Sequence, residues 1–165
     1  SDTPSPVCFV EDFESGAEGW TTASSAGETQ WELGKPAAEH VTAAHSGDHV
    51  YGTDLDAPYA NGVVASLRSP LFDLRGNRSP KLSFWYFVDT VFETEGVQLN
   101  ILDEDGNLLH ERDEIFWGTT DEWTQFSMFI PAEAKNQKIH LEWLLLTDAA
   151  EPNGDGFFLD DVMID

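Results

Sequence analysis

Strict two-residue alternation of apolar and polar side chains, repeated along nearly the whole chain, is the feature that most limits how this sequence can fold. In Leu82-Ser83-Phe84-Trp85-Tyr86-Phe87-Val88 one face carries Leu82, Phe84, Tyr86 and Val88, and the other carries Ser83, Trp85 and Phe87. A strand with large side chains on both faces is expected to be covered on both. Val97, Leu99 and Ile101 alternate with Gln98 and Asn100, which reads as a half-buried strand. Ile139, Leu141, Trp143 and Leu145 share a face opposite His140 and Glu142, before residues 144–146 turn fully apolar. Residues 123–130 form another strand pattern, ended by Pro131. Helix signals are confined to Ala132-Glu133-Ala134-Lys135, which is too short for more than a turn.

Turn residues fall between these runs. Asp105-Gly106 separates two apolar pairs and predicts a hairpin. Asn61-Gly62, Ser69-Pro70, Ser79-Pro80 and Asn153-Gly154 mark further turns. Eight or more short strands with no helices between them predict an all-β fold, an antiparallel β-sandwich of the jelly-roll kind. A length of 165 residues fits one such module. Ser1 to Pro6 reads as a Pro/Ser-rich linker remnant from a longer protein, and residues 7–165 as the single module.

Charge then narrows the partners. The chain carries 31 carboxylates against eight Lys and Arg, a net charge of −23. Phosphate backbones are bound by cations, so nucleic acid is excluded, as are anionic membrane surfaces. No apolar run reaches the roughly 18 residues of a membrane span, so no membrane insertion is expected. The single cysteine, Cys8, permits no intramolecular disulfide. That suits a bacterial exported protein or a cytosolic one, and thiol chemistry does not separate them.

Catalytic constellations are missing. There is no Gly-x-Ser-x-Gly elbow, Cys8 lies in an apolar strand start, and any two of so many acids could meet by chance. His45 and His49 stand four apart around Gly47, in a turn context unsuited to chelating zinc, and read as solvent-facing loop histidines. Asp103-Glu104-Asp105-Gly106-Asn107 has its glycine fourth rather than sixth, so it is a hairpin turn and not an EF-hand loop. Three stretches could supply the oxygens that a hard cation such as calcium requires: Glu11-Asp12-Phe13-Glu14, Ser46-Gly47-Asp48 and Asp160-Asp161. Simple alternation puts Asp160 on the face of Phe158 and Val162, making it a partly buried carboxylate that needs a partner or a metal.

The order of several motifs is that of a known family. Asp12-Phe13-Glu14-Ser15-Gly16 followed by Gly19-Trp20, Ala44-His45-Ser46-Gly47 with Tyr51-Gly52-Thr53-Asp54-Leu55, residues 67–74, residues 80–85 and the closing run 154–162 resemble bacterial jelly-roll modules similar to MAM domains. Such modules accompany secreted metallopeptidases of the immune-inhibitor-A type, subtilases and cell-surface proteins, and they are similar to calcium-stabilised carbohydrate-binding jelly rolls. The resemblance implies a non-catalytic accessory module of a secreted or cell-surface bacterial protein. It implies structural calcium held by Glu14, the backbone near Gly47 and Asp48, and Asp160 or Asp161. The expected partners are a polysaccharide, a secreted or cell-surface protein, or other domains of the parent chain, and the module is expected to be a monomer. The competing reading is a structural or protein-interaction module of a secreted peptidase, and an enzyme in its own right ranks below both. Ligand contact is expected at Trp117, with Phe116 and Tyr59 beside it, because glycine and two threonines follow that Trp and suggest a loop.

Overall fold

A computed structural model describes residues 9–25, 31–60, 62–91, 93–147 and 154–165. The expected linker 1–6, Cys8, Asn61 and Asn153 lie outside the described residues. Among the described residues the alternation seen in the sequence becomes twelve strands: β1 (Phe9–Glu11), β2 (Thr21–Ser24), β3 (Glu32–Gly34), β4 (Val50–Gly52), β5 (Val64–Arg68), β6 (Phe72–Asp73), β7 (Lys81–Asp89), β8 (Gly96–Asp103), β9 (Leu108–Glu111), β10 (Thr124–Phe129), β11 (Lys138–Leu146) and β12 (Gly156–Ile164). After Pro131 the chain makes one 3-10 turn, Ala132–Ala134, the length expected for that segment. Among the described residues no helix is long and apolar enough to cross a membrane.

The strands form two six-stranded sheets whose pairings are all antiparallel. The first runs β10-β7-β12-β4-β3 with β1 also on β12, and the second runs β2-β5-β11-β8-β9 with β6 also on β11. This is the antiparallel jelly-roll sandwich that the sequence predicts. Between the sheets lie Leu82 and Phe84 of β7, Val97, Leu99 and Ile101 of β8, Leu141, Trp143 and Leu145 of β11, and Phe157 and Leu159 of β12, all at most 1% exposed. These are the inward positions of each alternating run, so the local period sets which face is buried.

β7 is covered on its outer face as well. Phe87 packs with Ala38, Val41, Val50, Leu55 and Phe158 in a second apolar cluster, against which Ala44 and Trp123 rest. The segment leading into β4 therefore lies over the outside of the first sheet. The Asp105-Gly106 turn closes the β8–β9 hairpin as expected, with the Asp103 amide donating to the Asn107 carbonyl at 2.8 Å.

Candidate functional site

The clearest departure from simple alternation lies in β12. Phe157 and Leu159 point into the main core, and so do Val162 and Ile164, although two residues separate Leu159 from Val162. The pairing with β7 slips between Asp160 and Met163, and Asp161 has a φ of 49°. This is a β-bulge: the additional residue reverses the inside–outside parity of the strand. The expectation that Asp160 shares a face with both Phe158 and Val162 is therefore corrected. Asp160 lies on the outer face with Phe158, beneath the segment that covers β7, and is fully buried.

Residues 44–49 close over this bulge. Asp160 Oδ2 accepts the Ser46 amide at 3.1 Å, and its Oδ1 accepts the Asp161 amide at 2.8 Å. The Ser46 hydroxyl donates to Asp161 Oδ1 at 2.8 Å, and His45 Nδ1 lies 2.6 Å from Asp161 Oδ2. The His45 ring stacks on Trp85, with centroids 3.9 Å apart, and meets Trp123 edge-on. Trp123 in turn donates its indole N–H to the Ala43 carbonyl at 3.0 Å. Burial pushes the Asp160 carboxyl up to about 7, partly opposed by the Ser46 amide and reinforced by the charge of Asp161.

The later half of the same loop receives Glu14. Phe13, buried and at a φ of 64°, turns the chain so that Glu14 projects toward it. Glu14 accepts the Asp48 and His49 amides, each at 2.9 Å, and those two amides hold its carboxyl below the usual carboxylate range. Gly47 has a φ of 58°, and a Cβ there would collide with the Glu14 carboxyl group. Glycine is thus required at this position by conformation and by space.

All five residues expected around a cation converge on residues 44–49, but in two groups. Asp160 and Asp161 meet its first half together with His45, their nearest ligand atoms within 4.8 Å of one another, while Glu14 meets Gly47 and the amide of Asp48. The role of His45 was hidden in the sequence. Its platform, Trp85, comes from the outward face of β7, and no local pattern links the two.

Trp117, Phe116 and Tyr59 separate in the structure. Trp117 is 49% exposed, whereas Phe116 and Tyr59 are buried. The expectation that the latter two stand beside Trp117 at a ligand surface is corrected, and for Phe116 the reason is pairing. Phe116 bridges Val97 through two backbone hydrogen bonds of 2.9 and 3.0 Å, so its ring points inward with Val97. There it packs on Tyr86, Phe126 and Phe157, with the Arg112 guanidinium over its face. Tyr59 is in the core and donates its hydroxyl to Glu95 at 2.8 Å. Trp117, the next residue after Phe116, faces outward beside Gly96.

Together these features define an antiparallel jelly-roll module with an acidic loop-and-bulge junction and one exposed tryptophan at a sheet margin. No family model matches the chain. It is 30% identical over 158 residues to bacillopeptidase F of Bacillus subtilis (strain 168); the match covers 94% of this chain and 10% of that protein, so the chain spans about a tenth of its curated relative. Among solved structures, the K1 cleaved adhesin domain of Lys-gingipain from Porphyromonas gingivalis W83 matches with a TM-score of 0.64 and 19% identity, covering 96% of this chain and 98% of that one. TmCBM61, solved with β-1,4-galactotriose, matches with a TM-score of 0.61 and 18% identity, over 93% of each chain. The CBM22-1 xylan-binding domain of Paenibacillus barcinonensis Xyn10C matches with a TM-score of 0.56 and 16% identity, over 96% of this chain and 94% of that one. At these identities the structural matches define the fold.

Proposed function

We propose that this chain is a non-catalytic accessory module of a secreted or cell-surface bacterial protein that binds a polysaccharide and is stabilised by a divalent cation. The observation that carries the binding reading is Trp117, a large ring left 49% exposed on a domain that buries Trp20, Trp31 and Trp143. Exposed aromatic faces stack on sugar rings. Two structural neighbours are named for galactotriose and xylan, and a third is an adhesin domain. The MAM-like order of motifs belongs to the same reading.

The donor set suits calcium. Asp160 is a buried carboxyl held near neutrality by desolvation, adjacent to Asp161, and such a group is relieved by a cation. The carboxylates of Asp160 and Asp161 are hard oxygen ligands, which favour calcium over softer metals. A bound calcium ion would supply positive charge between the bulge and the covering loop. Asp160 and Asp161 would hold it, with Glu14 and the backbone at Gly47 and Asp48 fixing the loop.

Two measurements test the two parts. Melting of the purified domain in calcium and in EDTA should differ, since a ligand of the folded state stabilises it by mass action. Asp160→Asn should abolish the difference, and a chelator-insensitive melting curve would remove the cation from the proposal. Binding is read on neutral and anionic polysaccharides by affinity electrophoresis, with hydrolysis products assayed in parallel; product release lost on mutating a single carboxylate would overturn the non-catalytic reading. The similarity to bacillopeptidase F favours a second reading, a module that docks on other domains of a peptidase chain. Retention by no polysaccharide, together with saturable binding to a peptidase domain of the parent chain, would favour it.

A further inference from the structure

The outward face of the second sheet carries an ordered arrangement that its core-facing alternation does not require. Strand register sets three rows across it. The first is Thr21, Arg68, Glu142, Asn100 and Glu111, spanning β2, β5, β11, β8 and β9. The second is Ala23, Ser66, Leu144 and Gln98. The third is Val64, Leu146 and Gly96, and it ends against Trp117. Strands about 4.8 Å apart make this face roughly 19 Å wide.

The first row is a connected polar network. Asn100 donates Nδ2 to Glu142 Oε1 at 3.0 Å, and Arg68 Nη2 lies 3.6 Å from Glu142 Oε2. Asn100 Oδ1 is buried without a donor. The Arg68 ion pair is long and its side chain is 39% exposed, so it yields to a competing ligand at small cost. The glycine of the β8–β9 turn, Gly106, sits against the Arg68 guanidinium and bounds the face on one side. Trp117 bounds it on the other. Gly96 makes that second wall possible, because a Cβ there would strike the Phe116 carbonyl and press on Trp117. Gln98 ties the same segment down by donating Nε2 to the Arg112 carbonyl at 2.6 Å.

We infer that this face is the ligand-binding surface of the module and that its ligand is a neutral, hydroxyl-rich glycan chain, stacked on Trp117 and hydrogen-bonded along the Arg68–Glu142–Asn100 row. The inference rests on the polysaccharide reading above and names its surface and ligand class. Charge selects the class. The molecule carries −23, so a polyanion is repelled at long range, and the polar row offers it one cation beside two carboxylates. A cationic partner would find in this row only Glu111 not already matched by Arg68, since Glu142 faces both Arg68 and Asn100. Hydroxyl groups both donate and accept, which suits a row that presents a partly exposed guanidinium and a carboxylate, with the Asn100 amide beneath them. The apolar faces of sugar rings suit Trp117 and the Val64–Leu146 row.

The test uses the whole domain with galactan, xylan and glucomannan as neutral probes and polygalacturonate as the anionic one. Wild type should be retarded by at least one neutral polymer. Ser66→Trp, which fills the middle of the face, should weaken that binding at least tenfold with the melting temperature nearly unchanged. Trp117→Ala should do likewise, and Glu142→Gln should weaken it several-fold. Amide-proton spectra of the wild type give a readout that does not depend on any variant folding: the Asn100 and Gln98 side-chain amides and the Trp117 indole should shift on adding ligand. Full retention by Ser66→Trp, or shifts confined to other surfaces, would overturn this inference and leave polysaccharide binding standing. Retention by polygalacturonate alone would overturn the neutral class, and retention by no polymer would overturn both readings.

Discussion

His40 stands where three carboxylates converge. Its Nδ1 lies 3.2 Å from Asp89 Oδ2 and 3.4 Å from Asp155 Oδ2, and its backbone amide donates to Asp155 Oδ2 at 2.6 Å. Asp155 first, then Asp89 and Glu39, raise the imidazole above its ordinary value. The folded state therefore keeps this proton at a pH where the unfolded chain has released it. The resulting stability is present in full below about pH 6.5 and is lost as pH rises through the folded-state value of His40. A histidine NMR titration should place His40 above the unperturbed range. His40→Ala should flatten the pH dependence of stability between about pH 6 and 8, and an unchanged slope would show that the clasp contributes nothing. The two aspartates also stitch strand ends together, since Asp89, at the end of β7, accepts the Asp155 amide ahead of β12 at 2.9 Å.

Among the strands, the least forgiving contact is the bridge between Val97 and Phe116. Gly96→Ala places a methyl group against the Phe116 carbonyl, which is backbone and cannot rotate aside. The variant should lose about 1–3 kcal/mol, as overpacked sites do, and amide exchange in residues 115–118 should quicken more than in β11. Unchanged exchange there would mean that the bridge does not hold this segment. The bridge also marks the limit of what the sequence discloses. The inward residues of β7, β8 and β11 were legible because a two-residue period is a local property that each strand carries alone. The β12 bulge was not, because a bulge is defined against a partner strand, and nothing in Asp160-Asp161 announces that the register with β7 slips there. Phe116 and Tyr59 were misjudged for a related reason: turn residues nearby suggested loops, whereas tertiary pairing draws Phe116 to Val97 and seats Tyr59 on Glu95. Trp117 was legible as the tryptophan least constrained by strand packing, but not the polar row across the same face, since Arg68, Asn100 and Glu142 come from three strands far apart in sequence. The acidic stretches near Glu14, Asp48 and Asp160 were legible as candidates; the division of their contacts between the two halves of one loop was not.

The whole molecule carries 31 carboxylates and eight Lys and Arg, so like-charge repulsion opposes folding everywhere on its surface. Simple salt should relieve it. Raising sodium chloride from about 10 mM to about 1 M shortens the screening length from roughly 30 Å to 3 Å, and the melting temperature in EDTA should rise accordingly. Millimolar calcium should exceed the effect of sodium chloride at matched ionic strength, and Asp160→Asn should reduce its effect to that of screening. Equal effects of the two salts in the wild type would argue that calcium acts only as a diffuse counterion. The pairing of β1 with β12 has a mechanical consequence. Phe9 lies opposite Ile164, so the outer ends of the first and last described strands are neighbours. Tension transmitted along a longer polypeptide would pull those two points apart and open the β1–β12 ladder one hydrogen bond at a time, rather than shearing all of its bonds together. The junction is therefore a compliant one that gives way at low force, and β1 would peel off before the load reaches the main body of the sandwich.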